Sequence, residues 1–265
     1  MTEPDEPHAD ASQNPIPSHD LIGLQVEYVA APAAISLILD WALSGTGGYV
    51  VVCNVHQVML AAQDPEFRKV FEGARLRLPD SMVLQKARAF LHGPPAPETL
   101  LGSRLTEQLC AKAAVRGVAI GLYGAKQSTV STMSAALLAA SPALKLVHQE
   151  SPPFRPLSDE EVAASCAAIR AAGVQLLFVS MGCPKQETWM ARALPLLPDV
   201  VMIGVGAAFD TIAGVVPAAP AWVHRSGLEW AYRLSREPRR LFQRYISTSP
   251  PFLLRVVSQK LRRTS

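Results

Sequence analysis

The sequence predicts an α/β fold: a mainly parallel sheet with helices on both faces, followed by a C-terminal helical appendage. Short β-rich runs alternate with longer helical patterns through the middle of the chain. Several of those runs are continuously apolar, the pattern of strands covered on both faces. After Pro217 the pattern changes to Trp, Arg and Leu at helical spacing. With 265 residues, 49% hydrophobic and 18% charged, the chain can build one large domain or two small ones, and wholesale disorder is excluded. Its 22 Pro and 16 Gly follow no G-X-Y period, which excludes collagen-like and low-complexity classes.

Residues 1–20 carry Glu3, Asp5, Glu6, Asp10 and Asp20 with no Lys or Arg. They read as a disordered acidic leader and lack the basic start and apolar stretch of a secretory signal. Strands are expected over 49–53, 76–78, 118–123, 144–147, 176–181 and 200–205. Ser158-Asp159-Glu160-Glu161 is a capping box opening a helix to about Ala172, with Gly173 where a C-terminal glycine belongs. Pro184 fits the first turn of a helix beginning just after Gly182. Beyond Pro217, Pro238 and Pro250-Pro251 divide the remainder into about three helices. The expected division is a leader over 1–20, an α/β core over 21–218 and a basic amphipathic appendage over 219–265.

The formal charge of +3 hides an uneven distribution. Residues 220–265 hold ten Lys and Arg against Glu229 and Glu237, a net charge of +8 (ten minus two), which points to an anionic surface as partner. Trp222, Trp230, Tyr232, Leu234, Leu241, Phe242 and Leu253 are interleaved with those charges. That mixture suits a membrane surface and argues against nucleic acid. The longest apolar stretches, 29–39 and 200–209, fall short of the roughly 18 residues that a spanning helix needs. Cys53, Cys110, Cys166 and Cys183 form no C-x-x-C pair, and no His stands at zinc-finger spacing, so a reduced, cytoplasmic setting is expected.

In an open parallel sheet, ligands bind beyond the carboxyl ends of the strands. Four strand-end turns therefore carry the candidates: Asn54-Val55-His56, Pro79-Asp80-Ser81, the turn from Gly182 to Glu187, and the turn from Gly204 to Asp210. Asp80 can serve as an acid or base at a cleft, or as the N-cap of the following helix. Lys185 and Gln186 offer cationic and neutral hydrogen bonds to a polar ligand, or a solvated first helical turn. Gly204 and Gly206 would let backbone approach a phosphate, but Phe209 replaces the third glycine of G-x-G-x-x-G, and the turn follows the last strand instead of the first. An NAD-binding unit is therefore not expected. His56 reads as local packing or a ligand contact, and Cys183 as a small filler instead of a nucleophile.

Taken in order with the tail, these turns resemble the WecG/TagA/CpsF glycosyltransferase family. The residues that carry the resemblance are Asn54, Asp80, the Gly182-Cys183-Pro184-Lys185-Gln186-Glu187 turn, Gly204-Val205-Gly206 with Phe209-Asp210, Leu228-Glu229-Trp230 with Arg233-Leu234, and Glu237-Pro238-Arg239-Arg240-Leu241. The resemblance implies a Rossmann-like core and an inverting transfer of sugar from a UDP-sugar to a polyprenyl-diphosphate-linked acceptor, peripheral on the inner face of the plasma membrane. It implies that Asp80 is the catalytic base and that Asn54 and Gln186 hold the donor. The diphosphate would be met by arginines drawn from Arg225, Arg233, Arg236, Arg239 and Arg240. The chain departs from the family pattern at Val52 (often Thr), at Ser81 (often Gly) and around Gly102, where it reads Leu101-Gly102-Ser103-Arg104-Leu105. These changes leave the sugar open between glucose, N-acetylmannosamine and its uronic acid. The alternative is a non-catalytic nucleotide-sugar-binding scaffold of a polysaccharide assembly complex, and turnover of a UDP-sugar separates the two. Homo-oligomerisation is compatible with either.

No D-x-D pair occurs, so neither a metal nor another cofactor is expected; the planar fork of arginine matches phosphate oxygens instead. Sugar transfer is accordingly expected to persist in excess EDTA. A complete loss that Mg²⁺ or Mn²⁺ restores would overturn this expectation.

Overall fold

The computed structural model describes residues 16–93, 102–217, 223, 229–236 and 238–264. It opens with an antiparallel hairpin, β1 (Ser18–Leu21) and β2 (Leu24–Glu27), turned by Ile22 and Gly23 at positive φ. Residues 18–20 of the acidic stretch are thus strand, and 1–15 lie outside the described residues. Then follow α1 (Ala31–Leu43), β3 (Gly48–Cys53), α2 (Val55–Ala61), α3 (Pro65–Glu72), β4 (Leu76–Pro79) and α4 (Met82–His92). Next come α5 (Gly102–Arg116), β5 (Ala119–Gly124), α6 (Gln127–Ala140), β6 (Lys145–Glu150), α7 (Asp159–Ala171) and β7 (Leu176–Ser180). The chain continues through α8 (Lys185–Ala193), β8 (Val201–Gly204), α9 (Ala208–Ile212), α10 (Glu229–Arg236) and α11 (Pro238–Thr264).

All six expected strands pair in one parallel sheet of order β4-β3-β8-β7-β5-β6. Their apolar runs are continuous because the sheet is covered twice. In β3, Tyr49, Val51 and Cys53 join a core with Val58 of α2, Phe71 of α3, Leu84 of α4 and Trp189 of α8. Val50 and Val52 join a second core with Ile38 of α1, Leu109 of α5, Met133 of α6 and Phe209 of α9. Only β6, at one edge, alternates between exposed and half-buried residues. The other edge, β4, is flanked by the hairpin. Glu27 there pairs with Arg77 and also accepts the Arg77 backbone N–H at 2.6 Å, so a buried carboxylate occupies an open ladder position of the edge strand.

The capping box at Ser158 forms as expected. Ser158 accepts from Glu161 N at 3.2 Å, Glu161 returns the bond to Ser158 N at 2.9 Å, and Gly173 takes positive φ past the helix end. Pro184 is the N-cap of α8, one position ahead of the expected first turn.

The tail differs from expectation at Pro250-Pro251, which do not divide it: α11 runs through both as one helix. Packing compensates for the lost backbone donors. Phe252 and Val256, just beyond the prolines, are buried in the core that α2 and α4 share. Polar ties reinforce this: Gln259 accepts from Ile22 N at 2.7 Å and donates to Asp20 O at 3.2 Å, and Arg255 donates to Ala62 O at 3.2 Å. The C-terminal half of the segment is therefore a layer of the core, not a detached arm.

Two substitutions separate these faces of α11. Phe252→Ala should cost about 3–5 kcal/mol of stability, the usual consequence of emptying a buried aromatic site. Leu254→Ser, at a position 73% exposed, should stay within about 0.5 kcal/mol of the parent. Urea unfolding of both variants checks the contrast; equal effects would mean that α11 is not docked this way.

Candidate functional site

Because every strand runs the same way, the strand order sets the turns after β4, β3, β8 and β7 side by side. These are the four turns that carry the candidate residues. Asp80 N bonds to Cys53 O at 2.9 Å, and Val205 N bonds to Val179 O at 3.0 Å, so the backbone knits neighbouring turns together. Gly102, at the start of α5, approaches the same edge: a Cβ there would lie 3.2 Å from Val205 O.

A cavity of about 740 Å³ opens beside the β3 and β4 turns, lined by Asn54, His56, Asp80, Ser81 and Lys86 and closed on its far side by α10 and α11. The cap of α4 is Ser81, whose hydroxyl accepts from Leu84 N at 3.3 Å. Asp80 therefore stands one residue ahead of the capping position, and the cap alternative raised by the sequence is answered by its neighbour. Burial first, and then the charge of nearby Asp80, push the Cys53 thiol well above its ordinary range. Asn54 caps α2, accepting from His56 N at 2.9 Å, so its NH₂ group is the part of the side chain that can donate to a ligand.

Behind these turns lies a buried polar chain. Gln57 Oε1 accepts from Asn54 N at 2.9 Å, and Gln57 Nε2 donates to Glu187 Oε1 at 2.9 Å. Gln186 Nε2 donates to the same Glu187 oxygen at 2.8 Å, while its Oε1 accepts from Gly206 N at 3.2 Å. One carboxyl thereby ties together the turns after β3, β7 and β8. Glu187 has no exposed surface, and desolvation pushes its carboxyl above the ordinary range against the pull of the two amides. Gly204 is closely covered here: a Cβ would sit 2.9 Å from Gln186 Nε2 and from the end of the Met190 side chain, and one or both would have to move.

The structure thus brings Asn54 and Asp80 onto one cavity wall, and joins Gly204 and Gly206 of the turn after β8 to Gln186 of the turn after β7. Gln186 is only 1% exposed, so it faces its partners and not the cavity. Gly182, at positive φ, leads into α8, and Lys185 is exposed with its Nζ 5.4 Å from the Phe154 ring centre. Arg225 lies outside the described residues. Arg233 and Arg236 are on α10, Arg239 and Arg240 on α11. The Arg236 guanidinium stands 5.4 Å from the ring of Tyr232 on its own helix, and Arg236 is not on the described cavity wall. Asp210 sits on α9 with Thr129 of α6 as a distant partner at 3.4 Å, on the opposite face of the sheet from α4. Sequence reasoning missed Gln57 and the part played by Glu187. The spacing Asn54-x-x-Gln57 is itself a capping-box signal, but its far partner is 130 residues away.

Among the described residues, no helix is long and apolar enough to cross a membrane. A family model described as the glycosyl transferase WecG/TagA/CpsF family matches residues 19–265.

Glu187 can be tested through stability as a function of pH. A carboxyl whose folded-state value is raised gives its full stability below its ordinary value of 4.5 and loses it as pH climbs toward the raised value. The parent should therefore lose stability on going upward from about pH 4.5, and Glu187→Gln, which keeps the shape without the charge, should remove that slope. Glu187→Ala strands two buried amides and should cost about 2–4 kcal/mol. Denaturation across this pH range checks both; a slope that persists in the Gln variant would belong to another group.

Proposed function

The chain belongs to the glycosyl transferase WecG/TagA/CpsF family, and on that premise we propose that it moves a sugar from a UDP-sugar onto a polyprenyl-diphosphate-linked saccharide, with inversion at the anomeric carbon. Membership makes it a glycosyltransferase of cell-surface polysaccharide biosynthesis, exopolysaccharide included in this reading. The observation that carries the finer assignment is the position of Asp80, at a strand end, on the wall of a large cavity, with capping left to Ser81.

In the proposed step, Asp80 takes the proton of an acceptor hydroxyl as that oxygen attacks the anomeric carbon from the face opposite UDP. The new C–O bond forms while the bond to the β-phosphate oxygen breaks, and UDP departs with the electron pair. The developing negative charge needs donors fixed in advance. We assign that task to arginines of α10 and α11 and of the segment before them, taken from Arg225, Arg233, Arg236, Arg239 and Arg240, in place of a metal. Asn54 would donate to the nucleotide-sugar through its NH₂ group. Gln186 would act on the donor through the Gly206 turn that it holds, and Lys185 at the rim would meet the phosphates.

Membrane attachment from the cytoplasmic side completes the reading. On α11, Leu254 and Leu261 point outward, 73% and 62% exposed, amid basic residues. Each Lys or Arg close to an anionic leaflet adds about 1 kcal/mol, and apolar side chains add burial in the headgroup region.

Asp80→Asn should lower kcat by roughly 10² to 10⁴, the usual worth of a general base, with UDP affinity little changed. Steady-state transfer together with UDP titration checks this. Because Ser81 caps the helix, a loss of folding would not explain the effect, and near-normal turnover would place the base elsewhere.

A further inference from the structure

Asn54, His56, Asp80 and Ser81 line the cavity where the strands finish, and the rest of its described lining is mostly apolar, with Lys86 on α4 and Tyr245, Thr248 and Ser249 on α11 as the polar exceptions. One wall runs along α4 through Val83 and Ala87 to Phe90, and the other is the facing side of α11. From Met82 to Phe90 the helix rises about 12 Å, so the cavity is a slot leading away from the carboxylate. Lys86 stands partway along it. A nucleotide-sugar has only the faces of its base to set against such walls, far less than their length offers.

The far end of the slot has a distinctive exit. Leu253 and Val257 line the cavity and are at the same time 56% and 48% exposed, and they adjoin outward-facing Leu254 and Leu261 on the same helix. An apolar chain can therefore leave the slot over Leu254 and Leu261, past Lys260, whose Nζ stands 5.6 Å from the Phe90 ring centre at the rim. A ligand suited to this arrangement has a reacting polar end, an anionic group near Lys86 and a hydrocarbon tail. We propose that the slot between α4 and α11 seats the first isoprene units of the lipid that carries the acceptor, with Lys86 beside the diphosphate. This rests on the acceptor class proposed above and adds where its tail runs: through the protein before it reaches the bilayer.

The test uses the full chain and titrates farnesyl diphosphate, inorganic pyrophosphate and UDP separately by calorimetry. Farnesyl diphosphate should bind at least roughly tenfold more tightly than pyrophosphate, since a few buried isoprene units contribute strongly. Val257→Trp, which fills the exit, and Phe90→Ala, which strips the opposite wall, should each remove most of that advantage, with retained UDP binding reporting an intact fold. Equal affinity for farnesyl diphosphate and pyrophosphate overturns the proposal, as does a full advantage in both variants. A transfer assay with a lipid-linked saccharide keeps the two ideas apart. Transfer without a farnesyl advantage overturns the slot alone, and a farnesyl advantage without transfer overturns the proposed reaction alone.

Discussion

Parallel strands need a crossover between each pair, and the crossovers here place every strand's carboxyl end on the same edge of the sheet. The rest of the molecule depends on this constraint. Residues far apart in the chain, Asn54, Asp80, Gly182 and Gly206, become neighbours because β4, β3, β8 and β7 are neighbours. Covering both faces with helices removes water from the strands, and the same covering confines polar function to the edge where the backbone stops pairing. The buried chain from Gln57 through Glu187 to Gln186 follows from that confinement. Turns that meet at one edge have to be held relative to one another, and a shared carboxyl oxygen does so at the cost of burying it.

Legibility in the sequence follows the range of the interaction concerned. The six sheet strands could be read because their apolar runs are local and continuous, and the box at Ser158 because its partners lie three residues apart. Strand ends then nominated Asn54 and Asp80 without further information. The hairpin of β1 and β2 was not legible: its four-residue strands carry His19, Asp20, Gln25 and Glu27, and its justification is Arg77, fifty positions on. Nor was the continuity of α11 through Pro250-Pro251, where the local rule is overridden by the burial of Phe252 and Val256. Whether Asp80 is a base or the cap of α4 could be posed from sequence, but that Ser81 is the cap emerged only from its hydroxyl meeting Leu84 N.

The last helix illustrates how one element meets two opposed demands. Its inward side chains, Phe252 and Val256, join the core, while Leu254 and Leu261 on other faces stay in solvent. A helix that buries one apolar face and exposes further apolar side chains is costly for a protein in water. Its basic residues offset the cost by keeping the exposed stripe soluble.

Gln259 bonds to backbone 237 and 239 residues earlier, which makes the closing wall of the cavity one of the longest-range contacts in the molecule. Contacts of such separation carry a large loop-closure entropy. A chain with a finished sheet and an undocked α11 would have its strand-end turns in place and no enclosed cavity. Competence to enclose a ligand is thus tied to one long-range docking event and is lost whenever the C-terminal helix lifts away.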